Sequence, residues 1–385
     1  MADAVTLLIS LTLILLGGII AIGISKKTKL PLALTLFAVG AIFANIIYYG
    51  RPVISFPGFM LAAFSIIAVI IAIFDSTSKI RFSNFDKTSK DVFSFFFLNL
   101  LLNVFLITYL TMLLFKLQWF IALFFSLMVS CVEYYTIFPK HHVPKNKILQ
   151  FLKEESDISC AFVLIIPFLI ITFMQTVAPY GTAARTIISF SVNVFGGIGI
   201  GVIVSIILFK LLSYRRFEWM SPLVSAAAIL VAYLAALKID GNGLVAVAVM
   251  GFIFANVFIK NRQVLRSKLF KIDSIVEILL LLVIGSVIQI PFTWEFLRLS
   301  VGLFLFYLLL RLISASLALW HYSSAERVEI ALFVPKGFAT VAIAFALLNF
   351  SFVGMLELIQ LLMAFFVYSL IFDYVLDRMN FYKSR

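Results

Sequence analysis

Apolar runs of roughly 20 residues recur from one end of this 385-residue chain to the other. As a helix rising 1.5 Å per residue, each is long enough to cross a hydrocarbon core of ~30 Å. Charged residues make up only 12% of the chain and hydrophobic ones 63%, whereas a soluble domain is about a quarter charged. The chain therefore reads as an all-helical, polytopic membrane protein whose solvent is the lipid bilayer. A net charge of +12 would suit a nucleic-acid partner. The basic residues sit in short turns between apolar runs, however, where they orient helices against a membrane, so no nucleic acid is expected. Cys131 and Cys160 both fall inside apolar segments and encode no extracellular disulfide framework.

Thirteen spans are predicted, at 5–24, 30–49, 53–74, 92–115, 118–139, 148–177, 186–209, 221–237, 243–259, 273–290, 296–320, 328–349 and 353–376. Lys26, Lys27 and Lys29 follow the first span and no basic residue precedes it, which reads as a retained helix with its N-terminus outside. With that orientation 23 Lys and Arg fall on the cytosolic side and 5 outside, with Arg311 and Lys336 left inside spans. One missed or invented helix would invert every later loop, so this asymmetry supports both the count and a cytosolic C-terminus. The longest loop, 75–91, has 17 residues, too few for a soluble domain. Thirteen divides as six, one and six, the arithmetic of an inverted repeat: a first repeat at 1–177, a linking helix at 184–212, a second repeat at 221–377 and a short cytosolic tail at 378–385.

Ionisable groups at membrane depth are functional candidates by default. Glu277, Glu329, Glu357 and Asp373 lie near span ends, from which they are expected to reach headgroups or water. Glu155 and Lys336 each lie about eight residues, ~12 Å, from the cytosolic end of their spans, Asp157 ~15 Å in and Glu133 ~9 Å in. Opposite charges at one depth make Glu155 and Lys336 the expected structural ion pair. Arg311, inside the eleventh span, reads equally as a structural partner of a buried carboxylate or as part of a pathway. Pro335 and Gly337 flank Lys336 inside the twelfth span, where a proline removes a helical hydrogen bond. A broken helix in lipid is tolerated only against protein or a water-filled cavity, which favours a site there. Gly196-Gly197-Ile198-Gly199-Ile200-Gly201 has no preceding strand. It fails the context of a nucleotide loop, and Gly197 and Gly201 instead have the spacing for close helix packing. His141-His142 is too isolated for a metal site.

Several stretches carry a family resemblance. Ile73-Phe74-Asp75 precedes a basic loop; Ala232-Tyr233 leads through Gly251 to Asn256; Glu326-Arg327 is followed by Pro335-Lys336-Gly337; and Glu155-Ser156 lies within the sixth span. In these the chain resembles, over nearly its whole length, the monovalent cation/proton antiporters of the sodium/proton exchanger type, particularly the thirteen-helix prokaryotic branch. The resemblance implies broken, crossing fifth and twelfth helices, a homodimer, a prokaryotic cell membrane, and an ion-binding Asp that alternates between water on the two sides. Where that family has Asn-Asp on helix six this chain has Ser159-Cys160, and where it has Thr-Asp-Pro on helix five this chain reads Val132-Glu133-Tyr134.

Exchange of a cation for a proton needs one carboxylate that either can occupy, with its pKa brought toward neutrality by partial burial. A thiol is a poor ligand for a hard alkali cation, which prefers oxygen. Asp157 projects about 60° from Cys160, one turn nearer the cytosol. The expected ion and proton site is therefore Glu133 and Asp157 with Ser156 and Ser159 as neutral oxygen ligands, beside Cys160. The function expected is secondary antiport of Na⁺ or K⁺ against protons by alternating access, with no cofactor beyond the transported ions. The alternative is a non-exchanging relative, a passive ion pathway or a structural or sensory module, that lost the binding Asp. An intramembrane enzyme is not expected: no buried His-plus-carboxylate cluster or Ser/Lys dyad is evident.

Overall fold

The computed structural model describes residues 2–48, 51–52, 54, 56–80, 87–138, 146–180, 183–213, 221–258, 263–350 and 352–379. Arg81, Lys140, Lys145, Arg215, Arg216, Lys260 and Arg262, the pair His141-His142 and the tail from Asn380 lie outside the described residues. The helices, in order, are α1 (Ala2–Thr28), α2 (Leu32–Ala44), α3 (Gly58–Thr77), α4 (Lys87–Leu102), α5 (Thr108–Phe115), α6 (Trp119–Val129), α7 (Lys147–Tyr180), α8 (Ala183–Ser213), α9 (Ser221–Lys238), α10 (Gly243–Ile253), α11 (Gln263–Val287), α12 (Trp294–Ala318), α13 (Ser324–Leu332), α14 (Phe338–Leu347) and α15 (Met355–Arg378). A π-helical turn, Asn103–Ile107, joins α4 to α5. Among the described residues the only strand structure is the two-residue pairing of Ile47–Tyr48 with Arg51–Pro52.

Among the described residues seven helical segments are long and apolar enough to cross a membrane: Leu8–Thr28, Gly58–Thr77, Thr88–Phe115, Lys147–Thr176, Ala184–Leu208, Trp294–Ala318 and Met355–Arg378. Six shorter apolar helical stretches of 10–17 residues fall on the other predicted spans; two of them, α6 with 11 residues and α14 with 10, extend only about 15 to 17 Å, less than a ~30 Å core. For α6 and α14 the shortness has a local cause, because the chain leaves the helix inside the predicted span. α6 stops at Val129 and Glu133 is extended, at φ −119° and ψ 100°, before a 3₁₀ turn at Tyr134–Thr136. α13 stops at Leu332 and the helix resumes as α14 at Phe338. Pro335 has no N–H to offer a helix and biases Val334 toward extended backbone.

The chain forms two compact units. The first comprises Met1–Ala68, Asp86–Ser159 and Val276–Arg385, the second Val69–Phe85 and Cys160–Ile275. They are interleaved in sequence and form a different partition from the two six-span halves. In the first unit every residue of α14 is buried, as suits a helix that is apolar all round except for Thr340. Phe365 of α15 is the aromatic hub beside it, packed edge-on against Phe125 of α6 (5.0 Å between centroids) and Phe304 of α12 (5.4 Å).

In the second unit the glycine cluster of α8 lies against α10. A Cβ on Gly197 would sit 2.4 Å from the Asn242 carbonyl oxygen, and one on Gly201 2.5 Å from that of Ala246. The cluster is thus a helix-packing surface, as its spacing indicated. Asn242 begins α10 as its N-cap, accepting from the N–H groups of Leu244 and Val245. Gly251 has no room for a Cβ against Thr77 and the Phe74 carbonyl, and Asn256 donates to the Ile80 carbonyl (3.0 Å). Two stretches that carry the family resemblance are thereby neighbours.

Candidate functional site

The two unwound segments of the first unit meet. The N–H of Glu133 donates to the carbonyl of Pro335 (2.8 Å). The Glu133 carboxylate then caps the start of α14: Oε1 accepts from the N–H of Gly337 (3.0 Å) and of Thr340 (3.2 Å). The Lys336 ammonium, in return, donates to the carbonyls of Val129 and Cys131 at the end of α6 and to the Tyr307 hydroxyl (3.0 Å). An anion at a helix N-terminus and a cation at a C-terminus each complement the helix dipole and satisfy backbone groups that a helix end leaves open. Lys336 is fully buried and Glu133 partly so.

Neighbouring helices supply the remaining partners. From α7, the Ser156 hydroxyl accepts from the N–H of Tyr134 (2.9 Å) and the Ser159 hydroxyl from that of Val132 (3.2 Å). Both predicted serines therefore hold the backbone that carries Glu133. From α15, Ser369 Oγ accepts from the N–H of Lys336 (3.1 Å) and Asp373 Oδ1 from that of Val334 (3.5 Å). Asp373 is fully buried, which corrects the expectation that it reaches headgroups or water. The interruption at 333–337 leaves N–H groups beside it that need an acceptor.

The predicted pairing of Glu155 with Lys336 is also corrected. Glu155 binds Arg311 through two contacts, Nη1 to Oε1 at 2.8 Å and Nη2 to Oε2 at 3.3 Å, with both side chains buried. The same guanidinium donates from Nε to the Ala331 carbonyl (3.0 Å) and from Nη2 to those of Ile330 (3.2 Å) and Phe333 (3.1 Å). A planar guanidinium with five donors can serve both carboxylate oxygens and the three carbonyls ending α13 at once, whereas an ammonium has only three donors. Of the two readings open for Arg311, structural partner of a buried carboxylate is the one its contacts fit.

Oxygen donors gather round Gly337. A Cβ there would meet Thr136 Oγ1 at 2.2 Å and Glu133 Oε2 at 2.7 Å, so glycine at 337 leaves these two oxygens their common space. The Thr340 hydroxyl, fully buried, has no hydrogen-bond partner among the described residues. Sequence reasoning missed Thr136, Thr340, Ser369 and Tyr307, since a lone hydroxyl in an apolar span is unremarkable. Asp157 is partly buried on α7, about 100° round the helix from Ser156. Cys160 is buried and begins the part of α7 that belongs to the second unit.

Residues 11–377 match the family model for "Sodium/hydrogen exchanger, transmembrane". Among solved structures the fold is similar to that of the sodium proton antiporter MjNhaP1 from Methanocaldococcus jannaschii at pH 8, with a TM-score of 0.76 and 16% identity over 98% of this chain and 99% of that one. At that identity the likeness carries the fold alone. Comparison with curated proteins gives no significant match.

Proposed function

The chain belongs to the sodium/hydrogen exchanger family and is a membrane antiporter of cations and protons, and on that premise we propose that Glu133 is the carboxylate for which Na⁺ or K⁺ and the proton compete. The observation that carries this reading is the place of its side chain. It caps α14 with one oxygen while the other lies with Thr136 Oγ1 in the space left by Gly337. A hard alkali cation is suited by such a cluster of carboxylate and hydroxyl oxygens. Either a cation or a proton would cancel its charge; Arg311 and Glu155 already cancel each other, and Lys336 is committed to the end of α6. Asp157 is proposed as the second carboxylate of the site, with Ser156 and Ser159 as neutral oxygens beside it. Cys160, in the family's Asp position, would contribute little to the cation.

Thirteen spans, an inverted six-plus-six repeat and a homodimer belong to the same proposal. So do an outer N-terminus, a cytosolic C-terminus and a prokaryotic cell membrane. The charge asymmetry of the loops supports the orientation. The reading is tested by measuring proton flux in proteoliposomes on addition of Na⁺, K⁺ or Li⁺, in wild type and in Glu133→Gln.

A further inference from the structure

Away from Glu133, the first unit contains a second set of buried polar groups. Positions 99, 103, 107 and 111 recur every four residues along α4, the π-helical turn and α5, and Asn99, Asn103, Ile107 and Thr111 are all buried. Asn103 Nδ2 donates to Ser130 Oγ (3.0 Å), Ser130 Oγ to the Ser126 carbonyl (2.9 Å), and Thr108 Oγ1 to Ser126 Oγ (2.8 Å). Both polar atoms of the Asn99 amide, Asn103 Oδ1 and Thr111 Oγ1 have no partner among the described residues. Buried amides and hydroxyls are nearly always satisfied, by ordered water where protein offers nothing. The π turn at Asn103–Ile107 widens the helix at this level, and such turns are common at functional sites.

We propose that Asn99, Asn103 and Thr111 bind internal water molecules, forming a hydrated file along α4 and α5 that reaches α6 at Ser130. Water fits the donor set better than a cation does: the cluster has no carboxylate, and the Asn99 amide presents a donor as well as an acceptor. Ser130 lies between Val129 and Cys131, whose carbonyls bind Lys336. The file thus brings water to the residue between those two carbonyls.

The test uses the full chain in lipid, labelled with ¹⁵N-asparagine, in water-edited solid-state NMR. The side-chain amides of Asn99 and Asn103 are assigned by loss of signal in Asn99→Leu and Asn103→Leu, or in Asn99→Ser and Asn103→Ser should the leucine variants not fold. Magnetisation transfer from water to both amides, as fast as to loop asparagines, is the expected result; no transfer to either would overturn the proposal. Thr111→Val gives an independent readout. A hydrated hydroxyl predicts a lower melting temperature in the variant, whereas a dry, unpaired one predicts a rise, because replacing it by an apolar isostere would then relieve a desolvated group.

Discussion

Glu133 and Lys336 each complete the helix end that the other's segment leaves open. The Glu133 carboxylate takes the N–H groups of Gly337 and Thr340 at the start of α14, and the Lys336 ammonium takes the carbonyls of Val129 and Cys131 at the end of α6. The end of α6 and the start of α14 are thereby held together by opposite charges placed on opposite dipole ends, with no direct bond between those charges required.

The buried pair is Glu155 with Arg311, so Glu155→Gln should destabilise the protein in detergent by about 3 to 5 kcal/mol, since it strands a buried charge. Arg311→Met should cost more, because the carbonyls of Ile330, Ala331 and Phe333 lose their donor as well. A double change of both to apolar residues should recover part of the loss, while Glu155→Gln and Lys336→Ala should be additive. Thermal melts of the singles and doubles check this.

The φ of Gly337 is −147°, outside the left-handed region that favours glycine, and the role of this glycine is space. Gly337→Ala would drive a methyl into Thr136 Oγ1 and the Glu133 carboxylate. Ion-dependent proton flux should fall by up to ~100-fold in a protein that still folds, as read by flux and size-exclusion profile together.

Much of this fold was legible because apolar length and basic turns are properties of the sequence alone. The break at Pro335 and Gly337 was legible for the same reason: it follows from a missing N–H. The partner of Glu155 was not. Depth along a helix fixes a residue's height in the membrane but not its direction around the axis, and both Arg311 and Lys336 offered a positive charge within the membrane. Asp373 was misread in a related way. Its position near a span end indicated water, whereas it is buried with the unwound backbone at Val334 donating to it.

Outside the membrane, α13 begins with a capping box. Ser323 Oγ accepts from the N–H of Glu326, and Glu326 Oε2 accepts from the N–H of Ser323 (2.8 Å). The backbone hydrogen bond from Ser323 holds the Glu326 carboxyl below its ordinary value of 4.5. A carboxyl depressed on folding contributes stability that is present above its unfolded value and lost as pH falls through the folded one. Glu326→Gln should therefore lower the melting temperature at neutral pH, by the equivalent of about 1 kcal/mol or less, and the difference should close in acid.

The orientation is tested with single cysteines at Lys90 and Arg185. Lys90→Cys should label from the cytosolic side and Arg185→Cys from the outside. Labelling of both from one side would contradict thirteen spans.

Proton flux in proteoliposomes, driven by Na⁺ or K⁺, tests the central claim most directly. The account predicts flux in wild type, its loss in Glu133→Gln with the protein still folded, and near-wild-type flux in Cys160→Ala, since a thiol adds little to alkali-cation coordination. Flux that survives in the Glu133→Gln, Asp157→Asn double variant would show that neither carboxylate is where cation and proton compete.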